Sequence, residues 1–208
     1  MRLRDCLLVL PFLCATAACD RRPSDADVKR ELVERLATDQ AAREKLMEEM
    51  RRAGQPEIAT IRAMLAVDSA NTRWLKPIIL REGFPTRAQV GKEGVEAAFL
   101  MIQHADHDPD FQEAVLSMLE KAYATRDVPG QEVAMLTDRV LRARGKKQRY
   151  GTQMTVKEGR AVLDPVEDSV NLESRRARMR LVPMAQYLRT ADSAFGLTPS
   201  GGTGARKP

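Results

Sequence analysis

Apolar positions recur three and four residues apart along most of the chain, and give way to alternation only in the last third. Val28, Leu32 and Leu36 share one face behind Ser24, a good N-cap with acids in the first turn. Thr38-Asp39 is expected to cap a second helix carrying Leu46, Met47 and Met50 and closed by Gly54, and Pro56 to open a third with Ile58, Ile61 and Leu65. Trp74, Leu75, Ile78 and Ile79 follow at helical spacing up to Gly83, with Pro77 implying a kink or a later start. Thr86 is placed to cap a short segment through Val90-Gly91. Val95, Ala98, Phe99 and Ile102 then mark a helix whose residues 97–102 are apolar without interruption. Such a helix is buried on most sides, and its C-terminal end delivers Gln103 and His104.

Asp108-Pro109 reads as a cap with proline at the first helical position, opening a helix that turns Phe111, Val115, Met118, Leu119 and Ala122 inward. Val128-Pro129-Gly130 breaks the chain before a helix carrying Val133, Leu136 and Val140 and ended by Gly145. Residues 150–156 and 160–163 alternate on either side of Lys157-Glu158-Gly159, which predicts a β-hairpin. Alternation puts Gln148, Tyr150 and Thr152 on one face, and Arg149, Gly151 and Gln153 on the other. Asn171 or Asp168 caps a short arginine-rich helix, and Pro183 starts a last one with Met184, Tyr187 and Leu188. The expected fold is mainly α: a compact helical domain with one small C-terminal β-hairpin and an N-terminal helical extension. Its parts are a leader (1–19), a tether and charged helical extension (20–67), the main domain (68–192, hairpin near 148–164) and a disordered, glycine-rich tail (193–208).

Composition supports the helical reading. Aromatic residues are only 4% of the chain, and ten methionines fill apolar space, where a β-sandwich would call for more aromatic and β-branched residues. The net charge of +5 comes from mixed charges at helical spacing, with no stacking aromatics between the basic residues, so a nucleic-acid partner is not expected. The charged front third, with its narrow apolar stripe, would pack on the main domain, act as a spacer or bind a partner helix. The oligomeric state stays open.

Cysteine usage speaks to compartment. Cys6, Cys14 and Cys19 are the only three cysteines, and all lie in the first nineteen residues. Arg2 and Arg4 precede an apolar run over residues 6–18, the pattern of a secretory signal peptide and too short to span a bilayer. Thr16-Ala17-Ala18-Cys19 resembles a bacterial lipobox, with Thr16 where an aliphatic residue is usual; cleavage near Ala-Thr-Ala or Thr-Ala-Ala is the alternative. Lipidation of Cys19 would anchor an exported protein on the periplasmic side of a bacterial membrane, and Asp20 beside it resembles an inner-membrane retention signal.

Two polar stretches hold the candidate chemistry. His104 and Asp106 are an acid/base pair if Asp106 has left the helix, with carboxylate orienting imidazole. Alternatively, Gln103 and His104 close the end of the buried helix. The second stretch supplies Gln148, Tyr150, Thr152 and Gln153 to bind or polarise a small polar ligand or envelope component, opposite His104. Asp138 and Arg139 are helix neighbours pointing different ways, each able to reach either stretch or to make a buried tie. Arg175 and Arg176 would bind an anion or stay solvated.

No metal or other cofactor is expected. His104 and His107 are three apart across a helix boundary rather than four apart on one helix, and Asp108 and Asp110 are explained as a cap and a first-turn acid. The glycine of residues 150–153 does not make a phosphate loop, and there is neither a G-x-S-x-G elbow nor a cysteine beyond residue 19. An envelope binding module and an envelope hydrolase or transferase using His104 and Asp106 both remain open.

The order and spacing of these elements resemble an uncharacterised bacterial domain of unknown function. The matching residues run from Asp68 to about Leu188. They include Gly83-Phe84-Pro85, Val90-Gly91, Gln103-His104-Ala105-Asp106, Asp108-Pro109, Phe111-Gln112 and Leu136-Thr137-Asp138-Arg139. Gln148, Tyr150-Gly151-Thr152-Gln153, Asp164-Pro165 and Arg175-Arg176 complete the pattern. Phe84 stands where the family tends to have tryptophan, and His107 is outside the pattern. The resemblance implies no particular reaction or substrate.

Overall fold

Residues 23–157 and 160–194 are described by a computed structural model. The leader, Cys19, the turn residues 158 and 159 and the tail beyond 194 lie outside the described residues. Seven α-helices and one two-stranded hairpin make up the described fold: α1 (Asp25–Ala53), α2 (Ile58–Glu82), α3 (Arg87–Gln103), α4 (Pro109–Ala124), α5 (Gly130–Ala143), β1 (Met154–Lys157), β2 (Arg160–Leu163), α6 (Leu172–Arg178) and α7 (Met184–Ala194). A 3-10 turn over Ser169–Asn171 precedes α6, with Asp168 at its N-cap.

Several expected boundaries fall where local chemistry puts them. The Ser24 hydroxyl accepts from Asp27 N at 3.2 Å, and Gly54 ends α1 in the left-handed region. Asp108 Oδ1 accepts from Phe111 N at 3.1 Å with Pro109 beside it. The Gln89 side chain accepts from Thr86 N at 3.0 Å, and Gly91, at φ 71°, separates that first turn from the long body of α3.

The front third departs from expectation. Thr38-Asp39 starts no helix, because α1 runs unbroken through it, and Asp39 is buried in mid-helix. The division expected between 67 and 68 falls inside α2, which also continues through Pro77. Leu32 is fully buried in the same core as Leu75, Ile79, Val90, Ala98 and Ile102, with Val28 and Leu36 packed against it. The narrow stripe on α1 is therefore core surface rather than a spacer face. The physical reason is that α3 is apolar on nearly all sides, so α4 and α5 alone cannot cover it, and α1 and α2 close the remainder.

Beyond α5 the chain is held by polar groups. The hairpin pairs Met154 with Leu163 and Thr155 with Val162 in antiparallel register. The strand begins four residues later than the alternation from Tyr150 suggested, since residues 149–153 wrap around a buried carboxylate. No helix among the described residues is long and apolar enough to cross a membrane.

Candidate functional site

The end of α3 places His104 at its C-cap, and the partner of the imidazole comes from α1. His104 Nδ1 lies 3.1 Å from Asp39 Oδ1, and Arg43 Nε lies 3.0 Å from the same nitrogen. One Nδ1 cannot both donate and accept. A carboxylate only accepts, and Arg43 Nε–H has Asp39 Oδ2 at 3.3 Å as an alternative, so the tautomer with Nδ1–H donating to Asp39 satisfies more groups. It leaves Nε2 as the ring nitrogen free for chemistry.

Asp39 and Arg43 are one helical turn apart on α1, and the guanidinium reaches across to Asp68 of α2 at 2.6 Å. Burial alone would raise the Asp39 carboxyl, but the His104 imidazole and the Arg43 guanidinium outweigh it and hold the group below its ordinary value. Asp68 moves the other way: its desolvation exceeds the attraction of Arg43, and Asp39 adds like-charge repulsion. Asp39, Asp68 and His104 offer three ligand-type atoms within 4.8 Å of one another. Arg43 bonds both carboxylates, so the positive charge a metal ion would bring is already supplied.

Against this cluster opens a pocket of about 240 Å³, lined by Arg43, Met64, Leu65, Asp68, His104, Asp106, His107 and Arg139. Asp106 shares the pocket wall with His104, but its hydrogen bonds go elsewhere. Arg139 Nη1 donates to both of its oxygens at 2.7 and 2.6 Å, and Gln112 Nε2 donates to Oδ1 at 3.3 Å. The carboxylate that orients His104 is Asp39 and not Asp106, because Arg139 on α5 holds Asp106 while the buried Asp39 lies against Nδ1. Closing the end of α3 falls to a residue that sequence reasoning passed over for this role: Gln112 donates to the carbonyls of Ile102 and Gln103 at 3.0 and 3.1 Å. Gln103 itself is buried, with Oε1 unpartnered.

No hydrogen bond or ion pair among the described residues joins the other polar stretch to His104, and it does not line the pocket described. Asp138 is fully buried and accepts from Arg149 N at 2.6 Å, Tyr150 N at 3.0 Å, and Thr152 N and Oγ1 at 2.9 Å each. Gln148 is equally buried, donating to the carbonyls of Gln153 and Asp164 at 3.0 and 2.7 Å and accepting from Gln153 N at 2.9 Å. Gln153 donates to Thr152 Oγ1 at 3.1 Å. Gly151 adopts φ 67°, a conformation that favours glycine, and it packs under the flexible end of the Met184 side chain. Arg176, only 1% exposed, donates to the carbonyls of Tyr150, Gly151 and Val182 and stacks 4.9 Å from the Tyr187 ring. Arg175 likewise donates to the carbonyls of Arg149, Glu167 and Asp168. Neither arginine is a plain solvated charge, and Gln148, Asp138, Thr152 and Gln153 spend their polar atoms on one another and on the loop backbone.

Of the residues central to the His104 cluster, Arg43 was not singled out by the sequence, Asp39 was read only as a helix cap with Thr38, and Asp68 stood out only as a boundary. The available signal was an acid and a base four apart in a stretch that otherwise reads as solvated helix. No curated protein and no solved structure matches the chain. A family profile does match, over residues 26–199, so that α1 and α2 belong to the shared unit together with the elements carrying Gln103-His104-Ala105-Asp106 and Tyr150-Gly151-Thr152-Gln153. The chain belongs to the Family of unknown function (DUF6624).

Proposed function

We propose that this protein is an envelope-anchored module that binds a small polar ligand in the pocket beside His104. The carrying observation is the Asp39–His104 pair: a buried carboxylate fixes Nδ1 and leaves Nε2 for the pocket. Arg43 and Arg139 on the pocket wall favour a ligand with an acidic group, while Asp68 and Asp106 can accept from its hydroxyl or amine hydrogens. Anchoring rests on the leader and on Cys19, whose thiol a thioether-linked lipid would occupy on the periplasmic side of a bacterial membrane. Labelling with a palmitate analogue, lost in Cys19→Ser, is the expected result; unchanged labelling removes the anchor.

The pocket is tested by thermal shift of the wild type and His104→Gln against sugar phosphates, dicarboxylates and cell-wall peptide fragments. A compound that raises Tm only in the wild type supports the site. Equal shifts in both proteins, or none in either, count against it.

One geometric observation favours a second reading, a hydrolase or transferase. An imidazole oriented by a buried carboxylate is a competent general base. Among the described residues no serine, threonine or cysteine lines this pocket, so the group activated by Nε2 would be a water or a substrate hydroxyl. In that reading the acid/base pair is His104 with Asp39.

A further inference from the structure

A second, larger cavity lies away from His104, at the N-terminal ends of α3 and α5. It has a volume of about 700 Å³, within the range of small-molecule sites. Its walls are the first half of α3, the connection between α4 and α5, the start of α5 and the turn after α6. These parts are locked together tightly. Gly130 opens α5 so close to Met179 that a Cβ would come within 2.5 Å of the Met179 carbonyl oxygen.

One group in this wall lacks what a folded protein normally provides. Glu132 is 8% exposed, and its Oε2 is buried without a hydrogen-bond partner. A buried, unpaired carboxylate oxygen is costly, and such atoms in native proteins call for an explanation. Glu96 of α3 lines the same cavity and adds a second carboxylate; desolvation first and this neighbour second push Glu132 up to about 7. Lys92 pairs with Glu96 at 3.4 Å, and Arg87 is spent on Asp127, donating Nε–H to its carbonyl at 2.8 Å.

The same lining holds unpaired positive charge. Arg126 and Arg180 make no side-chain hydrogen bond or ion pair among the described residues, and both hold left-handed backbones, φ 66° and 57°. That conformation costs on the order of 1 kcal/mol or more in a non-glycine residue and is found disproportionately at ligand-binding positions.

We propose that this cavity is a second binding site, for a small zwitterion with the head groups of an amino acid or short peptide. The ammonium donates to Glu132, and the carboxylate lies against Arg126 and Arg180. A plain anion would leave the Glu132 carboxyl without a donor, and a plain cation would leave two guanidinium groups unpaired. A ligand carrying both charges satisfies both, and 700 Å³ accommodates a dipeptide with side chains.

The test is an amide NMR titration of the full chain with three probes: glycylglycine, its N-acetyl derivative without the ammonium, and glycylglycinamide without the carboxylate. Glycylglycine is expected to shift the Gly130, Gln131 and Glu132 amides saturably. Each blocked probe is expected to bind at least about tenfold more weakly, a loss of roughly 1.4 kcal/mol. Glu132→Gln, which keeps the shape, is expected to weaken glycylglycine by a similar factor and leave the N-acetyl probe unchanged; Arg180→Ala should weaken glycylglycine and the N-acetyl probe alike. Absence of saturable shifts with glycylglycine overturns the site. So does N-acetylglycylglycine binding as well as glycylglycine, which would mark an anion site, or glycylglycinamide doing so, which would mark a cation site. If Glu132→Gln does not fold, the three probes on the wild type and Arg180→Ala still decide.

Discussion

Asp39 and His104 are sixty-five residues apart in the chain and 3.1 Å apart in space, and the contact ties the middle of α1 to the end of α3. Asp39 is 1% exposed, so its charge is sustained by His104 and Arg43 rather than by water.

Removing one member of that buried pair leaves the other uncompensated. His104→Ala, which leaves the buried carboxylate short of a donor, is expected to cost about 3 kcal/mol, the lower end for breaking a buried pair, and Asp39→Ala somewhat less, because the imidazole left behind in the tautomer described carries no charge. The double variant should lose less than the sum, since both changes remove one interaction. Urea denaturation of all four proteins measures this; full additivity would show that the two residues do not interact. Because the Asp39 value is depressed in the fold, its contribution is present above the ordinary carboxyl value of 3.8 and is lost as pH falls through the lower folded value.

Asp138 is expected to be structural. Asp138→Ala removes the acceptor of three backbone N–H groups, one of them buried, and of the Thr152 hydroxyl, so a loss of about 3 kcal/mol follows. Hydrogen exchange should show the Tyr150 and Thr152 amides losing protection before those of α3. Protection unchanged at those two amides would contradict the account.

Arg176 anchors the same loop from the other side, through three carbonyls and a ring face. Lysine keeps the charge but has no planar fork to reach Tyr150 and Val182 together, so Arg176→Lys should cost about 2 kcal/mol. A thermal melt of Arg176→Lys equal to wild type would show that charge alone suffices.

Glu132 gives a pH dependence of the opposite sign to Asp39. It is faced by Arg87, Lys92 and Glu96 from α3, by Arg126 and Asp127 from the α4–α5 connection, and by Arg180 after α6. Its folded value, about 7, lies above its ordinary 4.5, so above pH 4.5 the folded state holds the proton more tightly than the unfolded one. Its contribution is therefore full below pH 4.5, declines up to about pH 7 and is level beyond, a change on the order of 3 kcal/mol. Glu132→Gln should flatten that part of the stability profile and raise Tm at pH 8. A profile as steep in Glu132→Gln as in the wild type would remove Glu132 as its source.

Much of the fold was legible because it is written in local chemistry. Asp108-Pro109, Thr86 with Gln89, and Gly54 each fix a helix end within one turn, and the apolar run over 97–102 identified the helix at the centre of the core. His104 was legible as an unusual residue at a helix end, but its partner was not. Asp39 sits among acids and bases that face water, and nothing local distinguishes the one turned inward until α3 is laid across α1. Residues 148–153 misled for a related reason. The alternation read from them is not kept, because the backbone amides that a strand would give to a neighbour are drawn to Asp138 and the segment curls around its carboxylate. In both cases a charged group beyond the reach of a periodicity argument decided the outcome.

Asp138 and Arg139 are consecutive on α5 and project about 100° apart around its axis. One grips the loop of residues 149–152, and the other grips Asp106 at the rim of the His104 pocket. Any roll of α5 that relaxes one grip strains the other, so the helix has a single rotational setting, fixed from two sides.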